Sequence, residues 1–203
     1  MYKPIDIHEL KINQAFRWWL TRDNFFTKDE CEELVEKIEN EAKPKIGPYT
    51  RPEYAKYNKD IDTKMAEDIC RLNTTEVFDE KYLNKIWGLI EIANKTVYKY
   101  DVQGIYKNKL QGHKYGLEDW YTPHADFHPI EHFSIVKLTL VVFLNTEGVD
   151  YQGGKFKFFD GTHIEGKQGR ILLFPSFYGH EVRPIISGNR YSLVTWAVGD
   201  TFV

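Results

Sequence analysis

Short apolar runs separated by turn residues dominate the second half of the chain and predict a β-rich domain. From residue 101 onward these runs are punctuated by Gly, Pro, Asn and Asp, and no helix is evident. The predicted strands cover 102–106, 109–115, 119–124, 135–144, 154–160, 162–166, 170–174, 180–184 and 190–198. So many short strands favour a β-sandwich or a jelly roll, and the aromatic content of 15% favours a β-rich core as well.

Two amphipathic helices are predicted before this sheet. Thr27 and Glu30 have capping-box spacing, and the apolar residues that follow recur at helical spacing, which predicts a helix over about 28–42. A long apolar stripe predicts a second helix over about 75–99. Between the helices, residues 44–63 are rich in Gly, Pro and Tyr and are predicted to form a loop, either a lid over a pocket or a surface connection.

The predicted strand 136–144 indicates how the helices and the sheet are layered. One face is wholly apolar and needs a cover, which the two helices can supply, whereas the other face mixes polar and apolar groups as a pocket lining does. The apolar face carries Leu138, Leu140, Val142 and Leu144, and the mixed face carries Lys137, Thr139, Val141 and Phe143. We therefore expect a double-stranded β-helix (jelly roll) with two N-terminal helices packed on one sheet and a pocket between the sheets.

Length and charge limit the number of domains and the kinds of partner that the chain is expected to have. The 203 residues suit a single domain spanning 1–203, with 1–100 as helical support and 101–203 as the jelly-roll core. The net charge of −3 and the lack of a long basic run give no indication of a nucleic-acid partner. Charged residues near the N-terminus and the absence of eighteen consecutive apolar residues predict a cytoplasmic protein with no membrane partner.

A predicted strand end near residue 124 carries a candidate metal site. If His124 and Asp126 lie on a strand, the two-residue period points both side chains to the same face. His180, which opens another predicted strand, can supply a second imidazole. Two His and one carboxylate with open positions opposite are the ligand set of non-haem Fe(II) oxygenases. A His-x-Asp pair alone is common by chance, so this hypothesis depends on further residues.

Arg190 is the strongest of those further residues. It shares one face of the last predicted strand with Ser192, Val194 and Trp196, and the two apolar members indicate that this face points inward. An inward-facing Arg needs an anionic partner, and no Asp or Glu in this strand offers one. A bound dicarboxylate would satisfy Arg190 through bidentate hydrogen bonds, with the Ser192 hydroxyl beside it.

The set formed by His124-x-Asp126, His180 and Arg190-x-Ser192 resembles the 2-oxoglutarate/Fe(II)-dependent dioxygenases, and specifically their prolyl 4-hydroxylase-like branch. The resemblance runs from about Asn24 to the C-terminus, with short segments in the family's order. Those segments are 23–31, 111–115, 137–145, 151–156, 169–175 and 180–196. The resemblance implies that His124, Asp126 and His180 bind Fe(II) and that Arg190 pairs with the far carboxylate of 2-oxoglutarate.

The resemblance also implies further co-substrate contacts. Tyr115 and Tyr121 match positions where family members often place a tyrosine near 2-oxoglutarate, although Tyr121 has the wrong strand parity relative to His124 unless Pro123 bends the chain. Some relatives have a tyrosine that reaches the co-substrate carboxylate where this chain has Phe143. The missing hydrogen bond is then expected from Thr139, Ser192 or Tyr115, or it is absent.

The implied reaction is hydroxylation of a C–H bond by O₂, coupled to decarboxylation of 2-oxoglutarate to succinate and CO₂, with ascorbate as a candidate stimulant. Prolyl 4-hydroxylation of a peptide or protein is the expectation from the branch. A free amino acid or another small molecule is the enzymatic alternative, and a catalytically silent jelly-roll binding domain or a cupin-like Zn or Mn enzyme are the others. The nucleic-acid demethylase branch is disfavoured because Trp196 stands where that branch carries a second arginine.

The remaining histidines are weaker candidates for functional residues. A shifted metal site that uses His128 is conceivable by strand parity, but only His124 keeps the family's spacing to Arg190. His128 and His132 are predicted either to shape the substrate entrance or to be solvated. We assign no functional role to His8, His113 and His163.

Overall fold

A computed structural model describes residues 18–46, 70–127 and 135–201. In these ranges the helices are α1 (Lys28–Glu41) and α2 (Glu80–Ala93), the latter continued by a π-helical turn at Asn94–Tyr98. The strands are β1 (Leu20–Arg22), β2 (Lys43–Ile46), β3 (Cys70–Val77), β4 (Gly104–Ile105), β5 (Leu110–Tyr115), β6 (Trp120–His124), β7 (Val136–Phe143), β8 (Tyr151–Gly153), β9 (Phe156–Phe158), β10 (His163–Ile164), β11 (Ile171–Pro175), β12 (His180–Val182), β13 (Ile185–Gly188) and β14 (Arg190–Val198). A 3₁₀ turn covers Tyr106–Asn108.

The strands form one long antiparallel sheet that curls on itself. Its order is β1-β11-β7-β14-β5-β3-β6-β12-β9-β10, with β2 paired to β3, β4 paired to β14, and β13 paired separately to β8. An apolar cluster joins β7, β11 and β5 from one half to β9 and β12 from the other, so the two halves face each other. This arrangement confirms the predicted jelly roll.

The two helices cover the outer face of the half of the sheet that contains β11, β7, β14 and β5, which we call the larger half. This is the layering that the sequence pattern of β7 predicted. Leu138, Leu140 and Val142 of β7 lie in one buried cluster with the inward residues of both helices. In α1 these are Cys31, Leu34 and Ile38, and in α2 they are Tyr82, Ile86, Ile90 and Ala93. The predicted capping box of α1 is present, because the Glu30 amide donates to the Thr27 hydroxyl and the Thr27 amide donates to the Glu30 carboxylate.

The start of the second predicted helix was wrong. Residues 70–77 form β3, which pairs with β5 from Asn73 to Val77, and α2 begins only at Glu80 after the N-cap Asp79. Val77 does belong to the apolar cluster under the helices, but it reaches that cluster from a strand. Phe78, which the helical stripe included, is 66% exposed. The β-branched residues at 74, 75 and 77 fit a paired strand better than a helix end.

The loop prediction for 44–63 was wrong at its start, and three other short elements were missed. Residues 43–46 form β2, in which Pro44 is tolerated because β2 pairs only with β3, an edge position that does not require every amide hydrogen. The missed elements are β8, β13 and the 3₁₀ turn at 106–108. The lid hypothesis for residues 47–63 and the predictions for His128 and His132 lie outside the described residues.

Across the described ranges, no helix combines the length and the apolar character needed to span a membrane.

Gly169 connects the segment before α1 to the turn before β11. Its carbonyl oxygen accepts hydrogen bonds from the amides of Phe25 and Phe26 at 2.9 and 3.1 Å. Gly169 has φ +77°, and a Cβ atom there would lie 2.2 Å from the Phe26 carbonyl oxygen. Both the backbone conformation and the close approach therefore require glycine at this position.

We expect the Gly169→Ala substitution to lower the free energy of unfolding by about 3 kcal/mol, because it adds a backbone clash to the strain of a positive φ. Gly161→Ala is the matched control: Gly161 has φ +86° with no atom near its missing Cβ, so only about 1 kcal/mol should be lost. Urea denaturation of both variants measures the difference. Equal losses would contradict the role of Gly169 as the anchor of this segment.

Candidate active site

Antiparallel pairing of β6 with β12 brings two imidazoles together. His124 lies directly opposite His180, and their ring centroids are 4.3 Å apart. The next pair is Tyr121 with Val182. Tyr121 is three positions from His124, whereas Val182 is two positions from His180, so the register shifts by one residue. The extra residue of this β-bulge lies between Tyr121 and His124, in the stretch that contains Pro123, and the Tyr121 ring stacks on the His124 ring at 4.0 Å.

Asp126 completes a three-ligand cluster just beyond the end of β6. The backbone amide of Asp126 donates to the Ser176 carbonyl at 2.9 Å, which holds the chain against the segment after β11. Its carboxylate oxygens lie 3.7 Å from the Nε2 atoms of both His124 and His180. In the part of the chain that the structure describes, this is the one group of three potential ligands, with all donor atoms within 4.8 Å of one another.

Backbone carbonyls orient both imidazoles toward the centre of the cluster. The Nδ1 atom of His124 lies 2.8 Å from the Thr122 carbonyl, and that of His180 lies 3.1 Å from the Tyr178 carbonyl. Because a carbonyl only accepts, each Nδ1 carries the hydrogen and each Nε2 presents its lone pair to the cluster. Burial and the neighbouring His124 lower the pKa of His180 to about 4, so at neutral pH it is in the form that binds metal.

The Asp126 carboxylate receives two hydrogen bonds from the larger half of the sheet. The Thr139 hydroxyl in β7 donates to it at 2.6 Å, and the Trp196 indole in β14 donates as well. Burial alone would raise the pKa of Asp126, but the two imidazoles and these donors hold the pKa below its ordinary value. The carboxylate is therefore ionised and fixed in orientation before any metal binds.

Arg190 lies in the same pocket with an unmatched charge. Its side chain is 1% exposed and lies across the faces of Tyr115 and Phe143, with the guanidinium carbon 5.1 and 5.4 Å from the two ring centroids. It donates to the Ser192 hydroxyl at 2.9 Å and also to the Tyr151 hydroxyl oxygen. Its Nε atom is buried without a partner, and no carboxylate of the described residues lies within 4.0 Å of the guanidinium.

These features fit an Fe(II) ion and a dicarboxylate. Two imidazoles and one carboxylate are the ligand set of Fe(II) oxygenases that leave positions open for other molecules. A buried cation with an orphaned donor, at the closed end of the same pocket, needs an anion to satisfy it. Ser192, paired with His113 on the neighbouring strand, adds a hydroxyl group to that end.

Comparison with protein families agrees with this chemistry. Residues 110–198 match the family model described as the 2OG-Fe(II) oxygenase superfamily. These residues are thus similar to that superfamily. A PKHD-type hydroxylase of Psychrobacter sp. (strain PRwf-1) is 36% identical over 90 residues, which cover 40% of this chain and 34% of that protein. The chain therefore matches about a third of the length of this curated relative.

Solved structures of prolyl hydroxylases share the fold of this protein over most of the chain. A prolyl-4-hydroxylase of Pseudomonas putida aligns with a TM-score of 0.66 at 18% identity, over 90% of this chain and 93% of its own. A viral collagen prolyl hydroxylase from Paramecium bursaria Chlorella virus-1, solved with 2-oxoglutarate, gives 0.65 at 16% identity over 91% and 97%. A prolyl hydroxylase from Trichoplax adhaerens, bound to a hypoxia-inducible-factor peptide, gives 0.65 at 19% identity over 90% and 84%.

Within this oxygenase fold, most residues predicted for the site share one pocket. Its lining includes all three ligands together with Arg190, Ser192, Tyr115 and Tyr121. Burial raises the pKa of Tyr115 and the Arg190 charge opposes that shift, so the phenol is protonated and able to donate at neutral pH. Thr139 instead contacts Asp126, which engages its hydroxyl hydrogen. Co-substrate contacts from Thr139, Tyr115 and Tyr121 stay predictions.

Four residues of the site region were missed by the sequence reasoning. Gln111 and His113 line the pocket beside Tyr115, Trp196 donates to Asp126, and Tyr151 contacts Arg190. Strand parity could have found Gln111 and His113, because they alternate with Tyr115 along β5. Parity did place Trp196 on the inward face with Ser192, but it gave no sign of the contact between Trp196 and Asp126. Tyr151 gave no comparable signal, because β8 was not predicted.

We expect the Thr139→Val substitution to weaken binding of Mn(II), an oxygen-inert substitute for Fe(II), by about tenfold, because the Asp126 ligand loses a donor that fixes its orientation. Thr21→Val, at an exposed position of β1, is the matched control and should leave the affinity unchanged. Anaerobic isothermal titration calorimetry measures both variants. An unaltered affinity in Thr139→Val would show that this hydrogen bond does not prepare the ligand.

Proposed function

We propose that the protein is an Fe(II)- and 2-oxoglutarate-dependent dioxygenase that hydroxylates a prolyl residue of a peptide or protein at C4. The observation that carries this proposal is the buried Arg190, with its unmatched charge, in the same pocket as the ligand cluster. Metal ligands alone fit several enzyme classes. A cupin-like Zn or Mn enzyme has no need of an inward cation at the closed end of the pocket.

The chain's own residues bind and orient the reactants. His124, Asp126 and His180 would hold Fe(II) on one face and leave the opposite positions open. Arg190 and Ser192 would bind the far carboxylate of 2-oxoglutarate, so that its keto-acid end is directed to the metal. When both are bound, they supply the oxidation chemistry by which O₂ converts 2-oxoglutarate to succinate and CO₂ while the substrate is hydroxylated.

Apolar side chains between these two ends restrict the access of water. Val141, Phe156, Val182 and Val194 line the pocket between Arg190 and the ligand cluster. In such surroundings the hydrogen bonds to a bound carboxylate are stronger than in water, and side reactions with solvent are suppressed. The protein's part in the reaction is thus to fix geometry and to exclude water.

The prolyl substrate is supported by the relatives. Each structure compared above is a prolyl hydroxylase, and the one from Trichoplax adhaerens is bound to a peptide fragment. Peptidyl proline is therefore the first substrate class to test, by incubating proline-containing peptides with Fe(II), 2-oxoglutarate, ascorbate and O₂. The expected products are succinate and a peptide heavier by one oxygen atom.

The decisive test of the site is the visible charge-transfer band that forms when 2-oxoglutarate chelates Fe(II) under anaerobic conditions. We expect the wild-type protein to give this band and the His124→Ala variant to lack it. In Arg190→Gln the 2-oxoglutarate concentration at half-maximal band intensity should rise about 100-fold, because a buried charge-assisted contact is lost. Arg183→Gln, at an exposed arginine, is the matched control.

Two outcomes would contradict the proposal. A folded wild-type protein that binds Fe(II) but gives no band with 2-oxoglutarate is not an oxygenase of this type. An Arg190→Gln variant with unchanged 2-oxoglutarate affinity would leave a cupin-like enzyme or a silent binding domain as the better description. Circular dichroism and thermal melting establish that each variant is folded.

A further inference from the structure

Gln111 and His113 are polar residues of the pocket that neither the metal nor the co-substrate requires. Both lie on β5, on the face that carries Tyr115, and both line the pocket with the ligand cluster. His113 is 4% exposed, and Gln111 is half-buried. Polar groups placed in an otherwise apolar pocket wall generally fix the orientation of what binds there.

His113 fixes the orientation of the Gln111 side chain. Its Nε2 atom lies 2.9 Å from Gln111 Oε1, and because a carbonyl oxygen only accepts, His113 is the donor. The other ring nitrogen lies 3.4 Å from the Tyr115 hydroxyl. With its oxygen engaged in this way, Gln111 has an amide nitrogen that makes no hydrogen bond to any described residue. Two N–H donors are therefore oriented but unused.

The strand register places this donor beside the path from Arg190 to the metal ligands. On β5 and β14, Tyr115 pairs with Arg190, His113 with Ser192, and Gln111 with Val194. The next residue of β14 on the same face is Trp196, which donates to Asp126. Gln111 is thus nearer to the ligand cluster than to the Arg190 end. Gln111 also lines a separate outer groove of about 500 Å³ beside the C-terminal end of α1 and strand β3.

We propose that Gln111 donates a hydrogen bond from its amide nitrogen to a backbone amide carbonyl of the substrate, next to the residue that is hydroxylated. A neutral donor suits a neutral acceptor. Among the described residues that line the pocket, Arg190 is the one Lys or Arg, so a substrate carboxylate at Gln111 would be buried without a counter-charge. The site therefore favours a peptide over a free amino acid, and His113 acts as a positioning residue. This inference rests on the proposed function.

The test uses N-acetyl-glycyl-prolyl-glycinamide and free L-proline as probes, with the full chain loaded with Fe(II) and 2-oxoglutarate. We expect the blocked peptide, and not free proline, to stimulate succinate formation by the wild-type protein. In Gln111→Met, which keeps the side-chain length but has no amide, KM for the peptide should rise roughly tenfold with little change in kcat. The anaerobic charge-transfer band should keep its 2-oxoglutarate dependence, because the co-substrate contacts are intact.

His113→Phe and the double variant test the positioning role. If His113 acts through Gln111, the single variant should raise KM by less than Gln111→Met does, and the double variant should be no worse than Gln111→Met. Gln152→Met, at an exposed glutamine of β8, is the control for the substitution itself. Additive effects in the double variant would overturn the positioning role of His113.

Three further outcomes would overturn the inference. These are an unchanged KM in Gln111→Met, loss of its charge-transfer band, and a wild-type protein that responds to free proline or to neither probe. Failure of the proposed function itself is distinguishable, because in that case the wild-type protein would lack the band before any substrate is added.

Discussion

The site depends on the cross-strand pairing of His124 with His180. Two short strands, one of them ending in a Pro-His pair, hold the imidazoles at a fixed separation through main-chain hydrogen bonds. The carbonyls that fix the ring orientations also come from the main chain, two residues before each histidine. The geometry of the ligands is thus a property of the β-ladder, which is more rigid than a set of loops.

The larger half of the sheet supplies the hydrogen-bond donors to the Asp126 carboxylate, and it also carries the buried Arg190. Thr139 and Trp196 both contact Asp126, although they lie on adjacent strands that do not carry it. The curling of the sheet therefore has two consequences for the site. It brings β7 and β14 over the ligand cluster, and it closes the pocket around Arg190. The helices make this possible because they cover the outer apolar face of β7 and β14 and leave the inner face for the pocket.

Burial of the Arg190 charge raises the free energy of the ligand-free protein, and this cost indicates that an anionic ligand binds there. The two aromatic faces and the hydroxyls of Ser192 and Tyr151 compensate part of the cost of burying the guanidinium. They carry no negative charge, and the Nε hydrogen remains unmatched. An anion that binds here supplies the opposite charge and the missing hydrogen-bond acceptor for Arg190. The binding free energy therefore includes relief of the cost of burying the guanidinium.

Local patterns predicted the long elements well and the short ones poorly. The capping box and apolar spacing gave α1 within one residue at its C-terminal end, and alternation gave β7 and β14, which are long enough for a two-residue period to be read. The end of β3 was mistaken for a helix start because Val77 and Phe78 precede the apolar residues of α2 at a spacing that continues the helical stripe. Two- to four-residue strands such as β8 and β13 have no period of their own, and their existence depends on the partner strand.

The residues that chemistry singles out were predictable from the sequence, whereas those defined by pairing were not. His124, Asp126, His180 and Arg190 could be singled out because the combination of a metal-ligand set with an inward-facing cation is unusual, although each residue alone is not. Parity could have placed His113 on the same face as Tyr115, but its position opposite Ser192 follows only from the register of β5 on β14. Tyr121 illustrates the same limit. Parity alone places it on the wrong face, and a single-residue bulge next to Pro123 returns it to the pocket. Pro123 indicated that the chain could bend there, but only the pairing of β6 with β12 fixes the bulge.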